Sequence, residues 1–177
     1  MKLLSFDPGT VNMGWAALDI YITKKNPTRY TWDYGTIQTP SGWKIQSRLW
    51  RLYVEAQRLV VVHDPTMILV EEVYTKPSKG FKTGATVAMA KALVYLLAGQ
   101  LQKPIDVLQS STVKKWAVGS GRASKEQVAK GMKDLLLVHR QGEDPFWELP
   151  DQDGADAMAV CWAWWNRYDE ERKAVEK

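Results

Sequence analysis

The chain has 177 residues, of which 45% are hydrophobic and 25% charged, and its formal net charge is +4. This size and apolar content allow one domain over residues 1–177 to bury a core without disulfides or a structural metal, with a solvated charged tail from about residue 169. No apolar run is long enough to span a bilayer, Asp7 interrupts the N-terminal apolar segment, and the single cysteine, Cys161, has no disulfide partner. We therefore expect a cytoplasmic protein without a membrane partner.

Three strands are predicted at the start of the chain. Residues 3–7 form a short apolar run that ends at Pro8-Gly9, which indicates a buried strand with Asp7 at its tip. Residues 14–22 and 30–38 are rich in β-branched and aromatic side chains and flank a polar linker that contains proline. These two segments are typical of an antiparallel hairpin.

A helix and a central strand follow. Apolar residues recur at helical spacing over residues 43–63, and Asp64-Pro65 ends that pattern. Residues 67–70 are continuously apolar and lead into Glu71 and Glu72, which is typical of a strand buried on both faces. A second strand thus ends in a carboxylate.

The second half of the chain is predicted to contain helices and one more strand. Residues 83–101 are apolar nearly all round, so this helix must be covered on two sides. Residues 105–108 are predicted to be a strand, and Ser110, Ser111 and Thr112 are interpreted as a cap of the following helix. A basic helix over 124–138 opens with a Ser-x-x-Gln capping pattern, and an aromatic-rich helix runs from 154 to about 168.

This order of elements predicts an α/β fold. Three antiparallel strands followed by alternating strands and helices give a five-stranded mixed sheet with helices on its faces. The ribonuclease-H-like fold has this layout.

Two acids at strand tips indicate a metal site. Burying an ionised carboxylate costs several kcal/mol unless it is compensated, and no arginine lies near Asp7 or Glu71 in the sequence. A divalent cation would compensate, and carboxylate oxygens select Mg²⁺ or Mn²⁺ over zinc. A turn-initiating Asp-Pro-Gly for Asp7 and a solvated strand end for Glu71 are the alternatives.

A further acidic cluster precedes the last helix. Asp153 and Asp156 are three residues apart, on one face of a first helical turn, where they repel each other unless they share a metal or have raised pKa values. Helix capping is the alternative, although capping needs one aspartate and Asp151 provides a third. The two histidines, His63 and His139, have no cysteine or histidine at ligand spacing, which excludes a zinc site. Cys161 lies in an apolar helical segment and is predicted to be inert packing.

Basic residues gather in two segments that suit a nucleic-acid backbone. In the first, aromatic rings alternate with lysines, as in stacking platforms set in a cationic groove: Tyr74, Lys76, Lys79, Phe81 and Lys82. In the second, the cations would neutralise phosphates: Lys114, Lys115, Arg122, Lys125, Lys130 and Lys133. Simple loop packing and a solvated helix face are the alternatives.

Segments 4–10, 69–74 and 153–159, together with Gly14 and the basic segment 114–125, resemble the motifs of the RuvC family of Holliday junction resolvases. The resemblance implies a magnesium-dependent endonuclease with Asp7, Glu71, Asp153 and Asp156 as catalytic residues and metal ligands. It also implies two ions per site, with Mn²⁺ able to substitute, and base stacking by Tyr74. Glu72 stands where glutamine is commoner in the family, and Gly154 where alanine is usual.

A four-way junction has two-fold symmetry, so two nicks suit an isologous homodimer. The helix from Thr83 to Leu101 is the predicted interface because Ala85, Ala88 and Ala92 would let two helices approach closely, although an internal core helix would look similar.

Other functions are alternatives to the resolvase. Asp7-Pro8-Gly9-Thr10 also suits the phosphate loop of actin-like and sugar-kinase ATPases, but 177 residues provide neither a second domain nor a second glycine-rich loop, so no nucleotide cofactor is expected. A nuclease for flaps, forks or RNA hybrids and a non-catalytic junction binder remain as alternatives.

Overall fold

The computed structural model describes residues 1–22, 28–72, 81–139 and 148–175, and only the backbone of residues 81–83 and 139. Within this part of the chain, five strands form one sheet in the order β3-β2-β1-β4-β5. The first three strands pair antiparallel, whereas β1, β4 and β5 run parallel. The predicted mixed sheet is confirmed, and its strands are β1 (Lys2–Asp7), β2 (Asn12–Tyr21), β3 (Arg29–Gln38), β4 (Met67–Glu72) and β5 (Ile105–Gln109).

Helices cover both faces of the sheet. They are α1 (Ile45–His63), α2 (Phe81–Gln100), α3 (Ser110–Val118), α4 (Lys125–His139) and α5 (Gln152–Val175). Alternate residues of β1 enter two separate cores, with Leu4 and Phe6 in the core under α1 and α2, and Leu3 in the core under α3, α4 and α5. No helix in the described ranges is long and apolar enough to cross a bilayer.

Two helices differ from the prediction. Helix α3 was not expected, because it is short and buries only Val113 fully, too few apolar positions to give a helical pattern. Its N-cap is Gln109, and no side chain caps it, so the predicted cap by Ser110, Ser111 and Thr112 is wrong. Helix α5 continues past Tyr168 to Val175, where Asp169 pairs with Arg172 and Lys173.

The predicted capping pattern of α4 is confirmed. The Ser124 N–H donates to Gln127 Oε1 over 2.8 Å, and the Gln127 N–H donates to Ser124 Oγ over 3.3 Å. This reciprocal pair fixes the residue at which α4 begins, and so places Lys125 in its first turn.

A buried hydroxyl on β1 anchors α5 to the sheet. Ser5 is fully buried, and its Oγ lies 2.7 Å from the Ala157 carbonyl oxygen, to which it donates, and 3.3 Å from that of Ala16. Cys161 lies one turn further along α5, and burial raises the pKa of its thiol to about 12, which fits the predicted packing role. Ser5 therefore sets the position of α5 along β1.

Close contact between β2 and α5 requires a glycine. Gly14 pairs with Asp7 in the sheet, and a Cβ at Gly14 would lie 2.0 Å from the Asp153 carbonyl oxygen. Backbone therefore meets backbone at this point, and no side chain fits between them. This contact brings Asp153 beside the end of β1.

We expect Gly14→Ala to destabilise the protein by about 1–3 kcal/mol, because the added methyl must push α5 away from β2. Gly42→Ala is the matched control, since a Cβ at Gly42 meets no atom within 4 Å. Urea unfolding of the two variants and the parent protein measures the difference. Equal midpoints for all three would contradict the close contact.

Candidate active site

Two acidic side chains meet at the carboxyl ends of neighbouring strands. Asp7 ends β1, and the parallel register that pairs Phe6 with Val70 places Asp7 beside Glu71. Leu3 and Leu69 lie in the core under α5, and side chains alternate along a strand, so Asp7 and Glu71 face the same side. The sheet thus presents both carboxylates toward the start of α5.

The neighbouring acid, Glu72, lies on the other face of the sheet. Its Oε1 forms a 2.6 Å ion pair with Lys91 Nζ of α2. Strand alternation therefore separates the two adjacent glutamates, and only Glu71 belongs to the acidic site.

The three aspartates at the start of α5 have different roles. The Asp151 carboxylate accepts the Gly154 N–H over 2.8 Å and the Thr36 hydroxyl over 2.8 Å, so Asp151 caps the helix. Capping is thereby confirmed for Asp151 alone. Asp153 and Asp156 lie in the first turns of α5, and Asp156 is buried.

Electrostatic coupling shows that these carboxylates share one site. Burial raises the pKa of Asp7 to about 7, with further contributions from Glu71, Asp156 and Asp153. Burial also raises the pKa of Glu71, and Asp156 adds to the effect. The other three acids therefore disfavour the charged form of Asp7, and Asp156 disfavours that of Glu71.

Three residues that the sequence did not assign to this site moderate the repulsion. A hydrogen bond from the Ser110 hydroxyl and the charges of Lys125 and Lys114 lower the pKa of Glu71 against the effect of burial. Ser110 follows β5 directly, and β5 pairs with β4 through Leu108 and Glu71, so the topology brings the hydroxyl to the carboxylate. Knowledge of that strand pairing would have identified Ser110.

Lys125 forms an ion pair with one of these acids. Its Nζ lies 2.6 Å from Asp156 Oδ2, while Gln152 Nε2 donates to Asp156 Oδ1 over 3.1 Å. Burial lowers the pKa of Lys125, but the hydrogen bond and charge of Asp156, with the charges of Asp7 and Asp153, outweigh it and raise that pKa. The predicted phosphate contact of Lys125 remains a prediction, and the structure adds its ion pair with Asp156.

Some of the other predicted DNA-binding residues belong to the described part of the chain, and some do not. Lys115, Arg122 and Lys130 are exposed on the α3 and α4 side, and Lys130 pairs with Asp134. Lys114 and Lys133 are partly buried. Outside the described residues lie Tyr74, Lys76 and Lys79, as do the side chains of Phe81, Lys82 and His139.

The donor set suits a hard divalent cation. Four carboxylates could provide oxygen ligands, and a cation would offset the burial and the repulsion that raise the pKa of Asp7. Within the described ranges, no three acidic, histidine or cysteine side chains are already placed to hold a metal together. Both Asp156 oxygens are engaged by Lys125 and Gln152, so coordination by Asp156 would require one of these partners to move.

We expect Asp7 to make the metal-free protein less stable as pH rises. The folded protein keeps the Asp7 proton up to about pH 7, whereas the unfolded chain releases it near the ordinary pKa of 3.8, so the free energy of unfolding falls between these values. Asp7→Asn removes this fall and should be more stable than the parent by about 2–4 kcal/mol at pH 8. Urea unfolding in EDTA across this pH range measures it. Parallel pH profiles for the two proteins would show that Asp7 is not a strained buried acid.

Comparison with known proteins identifies the family. The family model for the crossover junction endodeoxyribonuclease RuvC matches residues 3–163. The RuvC protein of Dictyoglomus thermophilum is 32% identical over 162 residues, which cover 91% of this chain and 94% of the relative. Thermus thermophilus RuvC shares the fold, with a TM-score of 0.74 and 19% identity over 97% of each chain, and its complex with a Holliday junction substrate gives 0.70 and 21% over 92% of each chain. The chain belongs to the RuvC family of crossover junction endodeoxyribonucleases.

Proposed function

We propose that this chain cuts Holliday junctions and related branched DNA by metal-dependent hydrolysis of phosphodiester bonds. Its catalytic residues would be Asp7, Glu71, Asp153 and Asp156. The observation that carries the proposal is the raised pKa of Asp7, which burial and the other three acids produce together. Strained acids of this kind mark functional sites, and the RuvC family supplies the reaction.

The cofactor would be Mg²⁺, with Mn²⁺ as a substitute, and two ions per site. The residues that would hold these ions are Asp7, Glu71, Asp153 and Asp156. Such ions supply an activated water and stabilise the leaving oxygen of an in-line displacement. The chain supplies fixed oxygens on two rigid strands and one helix.

Lys125 would orient Asp156 and neutralise part of the acidic charge. Its side chain is 63% exposed although its Nζ is bound to Asp156, so the ammonium lies at the mouth of the site, where DNA approaches. A long flexible side chain at this position can contact a phosphate and still return to the carboxylate. The predicted phosphate contact and the observed ion pair are therefore compatible.

The proposed function includes the compartment and the absence of a nucleotide cofactor. We propose that the chain acts in the cytoplasm, on DNA, without a nucleotide cofactor. The buried thiol of Cys161 agrees with a reducing compartment, and the chain lacks the second glycine-rich phosphate loop that an ATPase needs.

We expect Asp153→Asn to reduce junction cleavage by about 100-fold or more, because an amide is a poor ligand for a hard cation. Asp151→Asn is the matched control: it is two residues away, and asparagine caps a helix as well as aspartate does. The measurement is mapping of nicks on a synthetic four-way junction, a flap and a linear duplex with Mg²⁺.

Three outcomes of this assay carry information. Paired symmetric nicks in the junction alone support a resolvase, whereas equal cutting of the flap favours the broader branched-DNA nuclease. Cleavage by Asp153→Asn at the parent rate would remove Asp153 from the site.

Helix α2 supports the proposal of a homodimer. One side of α2 is buried, through Ala90, Val94 and Leu97. The opposite side is exposed although it is apolar, and it includes Ala88, Met89, Ala92, Leu96 and Gly99. Leu96 is 72% exposed, and small residues beside it leave room for close approach. A second copy of the chain, related by a two-fold axis, would bury this face and present two sites to a symmetric junction.

We expect Ala92→Glu to convert the dimer to monomer, because it places a charge in the centre of the proposed contact. Val62→Glu is the control, since Val62 is 62% exposed on α1. Mass measurement by light scattering, with and without junction DNA, distinguishes the states. A parent protein that stays monomeric with DNA would exclude the dimer.

A further inference from the structure

A cleft lies at the same end of the sheet as Asp7, on the side of α1 and α2. Its volume is about 510 Å³, and its walls are residues 9–12, Arg48 of α1, and Thr86 and Val87 of α2. Residue 9 is only two positions after Asp7, so the cleft adjoins the proposed active site. No contact assigned to the carboxylates above involves it.

Arg48 gives this cleft a fixed positive charge. Its Nη2 donates to the Ser41 carbonyl oxygen, and its Nε is buried without a hydrogen-bond partner in the described part of the chain. No described carboxylate lies within ion-pairing distance of Arg48, whereas Arg51 and Arg58 on the same helix both pair with Glu55. A buried, unsatisfied guanidinium donor costs free energy that an anionic ligand would recover.

The other walls suit a phosphate. None of the residues that line the cleft is acidic, and Thr10, Asn12 and Thr86 provide polar side chains around Arg48. The loop that contributes Thr10 is held from behind, because buried Thr39 donates through Oγ1 to the Thr10 carbonyl oxygen over 2.6 Å and through its N–H to that of Val11 over 2.8 Å. Arg48 is thus the one charged group among the lining residues of a cleft whose wall is otherwise largely apolar, and the loop that forms part of this wall is held in shape.

We propose that this cleft binds a backbone phosphate of the cleaved DNA strand, next to the scissile one, and that Arg48 is its main ligand. The inference rests on the proposed function, since it takes the acidic site to be where DNA is cut. The competing explanation is structural: Arg48 only anchors the segment before α1 through Ser41. The two differ in whether Arg48 responds to the charge of one particular phosphate.

The first test measures junction binding in an Asp7→Asn background, where the substrate stays intact. Adding Arg48→Met should weaken binding by about 10-fold and reduce the slope of log affinity against log salt by about one. Arg51→Met, one turn away and exposed, should change neither. An unchanged slope with Arg48→Met would overturn the inference and leave the proposed function standing, whereas no junction binding by Asp7→Asn itself would overturn both.

The second test changes the DNA substrate instead of the protein. Single methylphosphonates, which lack the phosphate charge, are placed at each position within two nucleotides of the cut. One of them should weaken binding by the Asp7→Asn protein and have no further effect once Arg48→Met is added. If Arg48→Met does not fold, Arg48→Lys replaces it, and that variant should show a smaller loss at the same phosphate. Equal losses with and without the Arg48 substitution, or no sensitive phosphate, would leave Arg48 as an anchor only.

Discussion

Repulsion between carboxylates that the fold forces together is the constraint on which this structure depends. Burial raises the pKa of Asp7 to about 7, and the charges of Glu71 and Asp156 contribute to the increase. The apolar packing of α5 and the Ser5 hydrogen bond to Ala157 hold this helix against β1, and they offset the cost of burying Asp7 near the other acids. The packing of the rest of the fold thus stabilises a cluster of acids whose repulsion a bound cation would relieve.

The assignment of tasks among neighbouring acids follows from periodicity. Glu71 and Glu72 differ by one position in a strand, so they face opposite sides, and one joins the acidic site while the other pairs with Lys91. Asp151 and Asp153 lie two positions apart at the start of α5. The Asp151 carboxylate accepts the Gly154 N–H and caps the helix, whereas the Asp153 carboxylate is not used by this cap. A shift of β4 by one residue would turn Glu71 to the opposite face, and a shift that put Val70 in its place would remove a carboxylate from the site.

Much of this arrangement could be predicted from the sequence because it is local. The acid at the end of β1, the capping pattern of α4 and the hairpin of β2 and β3 each depend on a few consecutive residues, and all three are confirmed. The contacts of Ser110 with Glu71 and of Lys125 with Asp156 join distant segments, and composition carries no signal for them. Helix α3 was missed for the related reason that its stability comes from packing on α5 and not from its own pattern.

Lys125, which pairs with Asp156, and Arg48, which lines the neighbouring cleft, differ in a way that matches different roles. Lys125 has a flexible stem and a 63% exposed side chain, so its ion pair with Asp156 can exchange as ligands arrive. Arg48 is held by its hydrogen bond to the Ser41 carbonyl oxygen, so its planar guanidinium can position a ligand. Under the proposed function, Lys125 would neutralise the acids reversibly, whereas Arg48 would hold the phosphate backbone. The location of Arg48 on the opposite side of the β1 end from Lys125 would then place the strand across the carboxylates.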